Sequence, residues 1–138
     1  FIKRDVIVSA VDDVIGMRIS ADKAGTLSGS VYLDRIKDIE VTTEGKNKLN
    51  MDGQIVDISK SEGGYEDNPG GSGPGGHHMK FAGRLLLLSA AGAISADNGR
   101  LVFEKSNEII ILSRAVHMTG GPYNMVIVNL QKVKKNKG

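Results

Sequence analysis

Apolar residues in this chain recur at every second position, in short runs broken by glycine, asparagine and aspartate, and no stretch sustains the helical period of about 3.6 residues. That pattern confines the chain to an all-β fold. The strand-like segments are 3–9, 14–20, 26–33, 37–43, 48–51 and 54–59, then 79–89, 92–96, 100–105, 108–114 and 125–130. In the second segment Ile15, Met17 and Ile19 share one face, and in the third Leu27, Val31 and Leu33 share one face with Gly29 between them. "ADKAG" supplies the turn that joins these two. Gly25 can take positive φ there, and Asp22 can hydrogen-bond its own backbone. The polar residues on the opposite faces form no constellation, so residues 13–34 read as scaffold.

The strongest local signal lies in the second half. Very short connections separate segments 79–89, 92–96, 100–105 and 108–114, and Asn98-Gly99 sits where a two-residue hairpin turn needs positive φ twice. An antiparallel meander is expected from them. The uninterrupted runs Leu85–Leu88 and Ile109–Leu112 are too apolar for strands with one wet face, which predicts central strands covered on both sides. A last strand, 125–130, returns after the loop "TGGPYN". Strands at short spacing with glycine-rich turns point to an antiparallel β-sandwich over residues 1–130. Between Glu62 and Gly76, seven glycines and two prolines in fifteen residues read as a flexible loop that is dispensable for folding.

Composition removes several chemistries. With no cysteine there is no disulfide framework, thiolate zinc site or cysteine nucleophile. No apolar run approaches the roughly 20 residues that span a bilayer as a helix, so no membrane partner is expected. The chain opens on Phe1, and its N-terminus is read as cut or processed. The net charge of +2 arises in the tail 131–138, which holds Lys132, Lys134, Lys135 and Lys137. Four of the 18 basic residues lie there, leaving 14 against 16 acidic ones in the body. A nucleic-acid interface needs a basic folded face, so none is expected.

Each candidate for chemistry meets a structural reading. His77 and His78 are adjacent in a strand-like context, where one ion cannot easily take both, and no nearby carboxylate pattern completes a zinc site. They read as a loop-to-strand junction. His117 has no identifiable catalytic partner. Asp12-Asp13 and Glu66-Asp67 stand in turn-like contexts, where acidic residues cap or are solvated. "GGSGPGG" lacks the Lys-Ser/Thr ending of a phosphate loop and no helix follows it. Stacking platforms for sugars are few: Tyr32, Tyr65, Tyr123, Phe1, Phe81 and Phe103, with no tryptophan. No catalytic, cofactor-binding or metal-ligating residue is therefore assigned.

Two stretches carry a family resemblance. "KRDVIVSAVDDVIGMRISADKAGTLSGSVYLDR" and "MKFAGRLLLLSAAGAISADNGRLVFEKSNEIIILSRA" resemble the N-terminal β-sandwich domain of glycoside hydrolase family 95, the α-L-fucosidases and some α-L-galactosidases. Arg4, Val6 and Ser9 fit that family's first strand. Val14, Ile15, Arg18, Ala21, Asp22, Lys23, Gly25, Leu27 and Ser28 fit its hairpin, and Phe81, Arg84, Leu85, Asn107, Glu108 and Leu112 fit the rest. The likeness covers residues 1 to about 116; Ala24 stands where the family has proline, and "VHMTGGPYN" departs from the family's approach to its linker. The resemblance implies a fold and a lineage. It places the hydrolytic residues in a separate (α/α)6 barrel, so this chain is expected to be non-catalytic and to need no cofactor. It also implies a periplasmic or extracellular setting. The expected partners are the barrel, upstream strands of the sandwich, or a second copy, with carbohydrate as a further candidate. The apolar face for such assembly is the one carrying Leu86, Leu88, Ile110 and Leu112, or the opposite one carrying Leu85, Leu87, Ile109 and Ile111. The alternative is an independent carbohydrate-binding or adhesive sandwich.

Overall fold

The first two strands, β1 (Ile2–Ser9) and β2 (Val14–Ala21), form a hairpin in continuous antiparallel register from Ile2 opposite Ala21 to Ser9 opposite Val14. Its tight turn is locked by side chain and backbone together. The Ser9 hydroxyl donates to the Asp12 carboxylate at 2.7 Å and accepts from the Asp12 amide at 3.2 Å, while Asp13 takes a φ of 58°. The computed structural model describes residues 1–35, 38–57, 76–117 and 125–130. The glycine-rich segment 62–75 and the tail 131–138 lie outside them, as do Tyr65, Glu66, Asp67 and Tyr123.

Eight further strands follow: β3 (Leu27–Asp34), β4 (Ile39–Glu44), β5 (Lys48–Asp57), β6 (Gly76–Ala90), β7 (Ala93–Asp97), β8 (Arg100–Ser106), β9 (Glu108–His117) and β10 (Met125–Leu130). They make two antiparallel sheets, one of six strands in the order β1-β2-β9-β6-β5-β4 and one of four in the order β10-β3-β8-β7. The fold is an all-β sandwich. The core draws Leu27, Val31, Leu33, Leu101 and Phe103 from the smaller sheet against Ile19, Leu49, Met51, Leu87 and Ile109 from the larger. Full burial of each such side chain contributes about 1.5–3 kcal/mol. The alternation in residues 15–33 produces this directly, since Ile19, Leu27, Val31 and Leu33 are all buried.

Three expectations require correction. The four strands of residues 76–117 are not a meander: β6 pairs with β9 in the large sheet, while β7 pairs with β8 in the small one. The chain crosses between sheets twice, because the residues between β6 and β7 and those ending β8 take up left-handed conformations at Ala91 (φ 59°), Gly92 (φ 83°) and Lys105 (φ 52°). The corners are tied to each other. The Ser89 and Ser106 hydroxyls share a hydrogen bond of 2.7 Å, and the Asn107 amide donates to the Ala90 carbonyl at 3.1 Å. Ser106 is fully buried, so that bond also satisfies a polar group withdrawn from water.

Second, segments 48–51 and 54–59 are not separate strands, because β5 runs unbroken from Lys48 to Asp57. Asp52-Gly53 has the composition of a turn, but Gly53 is extended and pairs with Phe81, whose ring lies across the glycine where a side chain would stand. Third, β6 and β9 are central, yet their apolar runs are covered fully on one face only. Leu85, Leu87, Ile109 and Ile111 are 2% exposed or less, whereas Leu88 on the other face is 42% exposed.

The Asn98-Gly99 turn forms as read, with φ of 47° and 76° at its two residues. Gly25 likewise takes positive φ, at 69°. The closure expected from Asp22 comes from other groups: the Thr26 hydroxyl donates to the Lys23 carbonyl at 2.6 Å, and the Gly25 amide donates to the Asn107 side chain at 2.7 Å.

Candidate functional surface

The outer face of the six-stranded sheet has no second layer among the described residues, and its cross-strand rows set out what it offers. One row runs Ile7, Gly16, Leu112, Leu86, Lys48 and Glu44, through all six strands from β1 to β4. Ile110 and Leu88 lie opposite each other two residues along. Gly16 leaves the room that Leu112 uses, since a Cβ there would stand 3.6 Å from a Leu112 methyl group. The middle of the face is apolar as a result.

Charge gathers at its margins. At one end the Arg18 Nε donates to the Glu108 carboxylate at 2.8 Å, with Asp5 opposite Arg18 on β1. At the other end Arg84 and Arg114 stand directly opposite each other on β6 and β9. Arg84 is pinned: its guanidinium donates to the Met51 and Gly83 carbonyls at 3.1 and 2.9 Å and to Asp52 at 2.9 Å. Arg114 has no ion-pair partner among the described residues, and like charges facing across a strand pair repel. A cleft of about 350 Å³ opens here over Leu86, Leu112 and Val14, and a hollow of about 900 Å³ borders Ile7, Ile110 and Leu112 towards β1.

Glu44 closes the basic end. Hydrogen bonds from the Asn50 amide and the Lys48 ammonium hold its carboxyl below the usual glutamate range, and the Lys48 charge adds to the effect. A carboxyl shifted this way contributes stability above its unfolded-state titration and loses it as pH falls; Glu44 is solvent-exposed, so the contribution is small. Carbon-detected NMR titration is expected to place Glu44 below an ordinary glutamate, and Asn50→Ala to move it back upward.

Such a face can bind. The general acid of a glycosidase is commonly a carboxyl whose titration is raised, for instance by apolar surroundings. The carboxylates partly withdrawn from water among the described side chains are Asp5, Asp38 and Glu108. Each faces a cation: Lys3 at 3.5 Å, Arg35 at 4.0 Å and Arg18 at 2.5 Å. Asp38 also accepts from the Val56 amide at 3.2 Å.

The residues considered individually in the sequence go to structural places. Phe81 and Phe103 are core side chains, 3% and 0% exposed, and Tyr32 lies beneath the Arg100 guanidinium at 4.5 Å from its ring centre. Asp12 belongs to the β1–β2 turn. His77 and His78 are the second and third residues of strand β6, His77 opposite Val56, and His117 ends β9 opposite Phe81. Of the two apolar faces, the one with Leu85, Leu87, Ile109 and Ile111 is the sandwich interior.

Sequence reasoning missed a contact between distant motif residues. Arg18, Gly25 and Ser28, from β2, the link that carries the chain to the other sheet, and β3, meet Lys105, Asn107 and Glu108 from the β8–β9 corner. Arg18 bonds Glu108, the Gly25 amide bonds Asn107, and the Lys105 amide donates to the Ser28 hydroxyl at 3.1 Å. These residues clamp two crossings between the sheets together, the β2–β3 link and the β8–β9 corner. Their spacing of some eighty residues hides this from any local pattern; the pairing of two motifs in one family signature is the signal that carries it.

No curated protein matches the chain. Residues 1–117 match the family described as glycosyl hydrolase family 65, N-terminal domain, a span that takes in every motif residue of the clamp and ends with strand β9. The chain belongs to the family of glycosyl hydrolase family 65 N-terminal domains.

Proposed function

We propose that the chain is the non-catalytic N-terminal sandwich portion of a fucosidase-like glycoside hydrolase of the family 95 type, supporting a separate (α/α)6 catalytic barrel. The observation that supports this reading is the pairing of the carboxylates: among the described side chains, those partly withdrawn from water, Asp5, Asp38 and Glu108, each face a cation, which suits ion-paired scaffold. The fucosidase element rests on the family 95 resemblance of the β2–β3 and β8–β9 motifs, whose members join in the clamp around Asn107. The barrel's seat is the outer face, where Leu86, Leu88, Ile110 and Leu112 form a half-exposed apolar surface rimmed by Arg84, Arg114 and Lys48.

The test has two arms. Purified chain is expected to release no fucose from an aryl α-L-fucoside, and measurable release by contaminant-free protein overturns the non-catalytic assignment. The undeleted reading frame is expected to continue into a large helical barrel. A stop codon or unrelated modules there would favour an independent sandwich instead.

A further inference from the structure

The cleft at the basic end of the outer face is lined by Val14, Leu86 and Leu112 together with Lys48, Arg84 and Arg114. Its charges do not balance. Lys48 is paired with Glu44 at 3.4 Å and Arg84 with Asp52 at 2.9 Å, whereas Arg114 has neither an ion pair nor a side-chain hydrogen bond among the described residues. The strand register sets this uncommitted guanidinium directly across from Arg84. Arg84 cannot easily withdraw, because its two terminal nitrogens are held by the Met51 and Gly83 carbonyls and by Asp52. Glu44, the acidic residue in the lining, is held by Lys48 and Asn50 and does not relieve the repulsion between the arginines. One positive charge is left over, beside an apolar floor.

From this imbalance we propose that the cleft is a binding site for an organic carboxylate, which Arg114 takes up while the uncharged part of the ligand covers Val14, Leu86 and Leu112. A guanidinium presents a planar fork that matches the two oxygens of a carboxylate. The Arg84 Nε makes no hydrogen bond among the described residues and offers a further donor. An anion between the two arginines replaces their repulsion with two attractions. A single surplus charge matches one anionic group rather than a polyanion, and the apolar floor selects for a body attached to it. A sugar ring or a short aliphatic stem covers those carbons; inorganic phosphate cannot. The cleft, at about 350 Å³, is at the small end of ligand sites, which run from about 300 to 1,000 Å³. Two sources share this chemistry: a sugar acid free in solution, and the side chain of an aspartate or glutamate in a protein segment seated on the face. The site rests on the charges of this chain and not on the fucosidase reading.

NMR titration of the isotope-labelled 138-residue chain at constant ionic strength tests it. The probes are D-galacturonate, its neutral counterpart D-galactose, a glutamate capped at its backbone amine and carboxyl, and inorganic phosphate. Saturable shifts of the Arg114 and Arg84 side-chain N–H signals are expected with the carboxylates and not with galactose. Tighter binding of galacturonate assigns the site to a free sugar acid, and tighter binding of the capped glutamate assigns it to an acidic side chain. Arg114 is exposed, so its variants keep the fold. Arg114→Gln is expected to weaken binding about tenfold, and Arg114→Lys, which keeps the charge and loses the fork, to weaken it less. Lys23→Gln removes the same charge from an exposed turn and is expected to leave binding unchanged. The proposal is overturned by galactose shifting the same signals as far as galacturonate, by equal weakening in Arg114→Gln and Lys23→Gln, by phosphate binding as tightly as galacturonate, or by no saturable shift with either carboxylate.

Discussion

Lysine in place of Ile109 is expected to abolish folding, and lysine in place of the next residue, Ile110, to leave a folded domain. The two side chains are chemically identical neighbours on a central strand, so the contrast isolates the face. Ile109 is fully buried and pairs laterally with Ile19 and Ser89 inside the sandwich. An ammonium there loses its hydration with no carboxylate among its described neighbours, at an effective cost of several kcal/mol, against a total stability of about 5–15 kcal/mol for a domain of this kind. Ile110 is only half-buried, on the outer face beside Leu88 and Arg18. A lysine can lay its methylenes along that surface and keep its charge in water. Thermal melts and two-dimensional amide NMR spectra check both variants. Cooperative unfolding and a dispersed spectrum for Ile109→Lys would mean that the interior has been assigned to the wrong face. Collapse of Ile110→Lys would mean that the outer face is itself core.

The same contrast shows how far the fold could be read from residue order. Alternation alone assigns Ile15, Met17 and Ile19 to one face, and the structure buries Ile19 completely. It cannot say that Ile15 overhangs the edge of the smaller sheet, because sheet width is a property of long-range pairing. In Leu85–Leu88 and Ile109–Leu112 alternation is silent, since every position is apolar, and the inference of double coverage filled that silence too generously. A short connection between strands suggests an in-sheet hairpin. That holds at Asn98-Gly99, where a two-residue turn leaves no alternative, and fails at Ala91-Gly92 and Ser106-Asn107, where a short link is a corner between sheets. The candidate surface was legible as a set of leucines and isoleucines. Its charged rim was not, because Arg84 and Arg114 lie thirty residues apart and become opposed only through the β6–β9 register. The clamp at Asn107 was hidden for the same reason, being closed by contacts with Gly25, Ala21 and Ala90 from three different parts of the chain.

The corner itself predicts the second large effect, at Gly92. This residue holds a φ of 83° where the chain leaves β6 for the smaller sheet, and a Cβ added to it would run into the Glu104 carbonyl oxygen and lie 2.8 Å from the Lys105 carbonyl carbon. Those obstacles are backbone of the β8–β9 corner, which cannot swing aside as a side-chain end can. Gly92→Ala therefore has to open the packing between the two sheet crossings, and it also forces an alanine into the left-handed region. Left-handed strain of about 1–2 kcal/mol and an overpacking cost of about 1–3 kcal/mol together predict a loss of roughly 2–5 kcal/mol. Gly99 provides the control. Its φ of 76° is as far into the left-handed region, but nothing lies within 4 Å of where its Cβ would be, so Gly99→Ala carries only the conformational part, about 1–2 kcal/mol. Urea titration of the two variants separates the contributions: the difference between them measures contact with the corner, and equal losses would place the whole cost in the backbone angle and none in the approach of the two crossings. A Gly92→Ala variant as stable as the parent would mean that the corner does not bring β7 and β8 as close as the Glu104 contact requires.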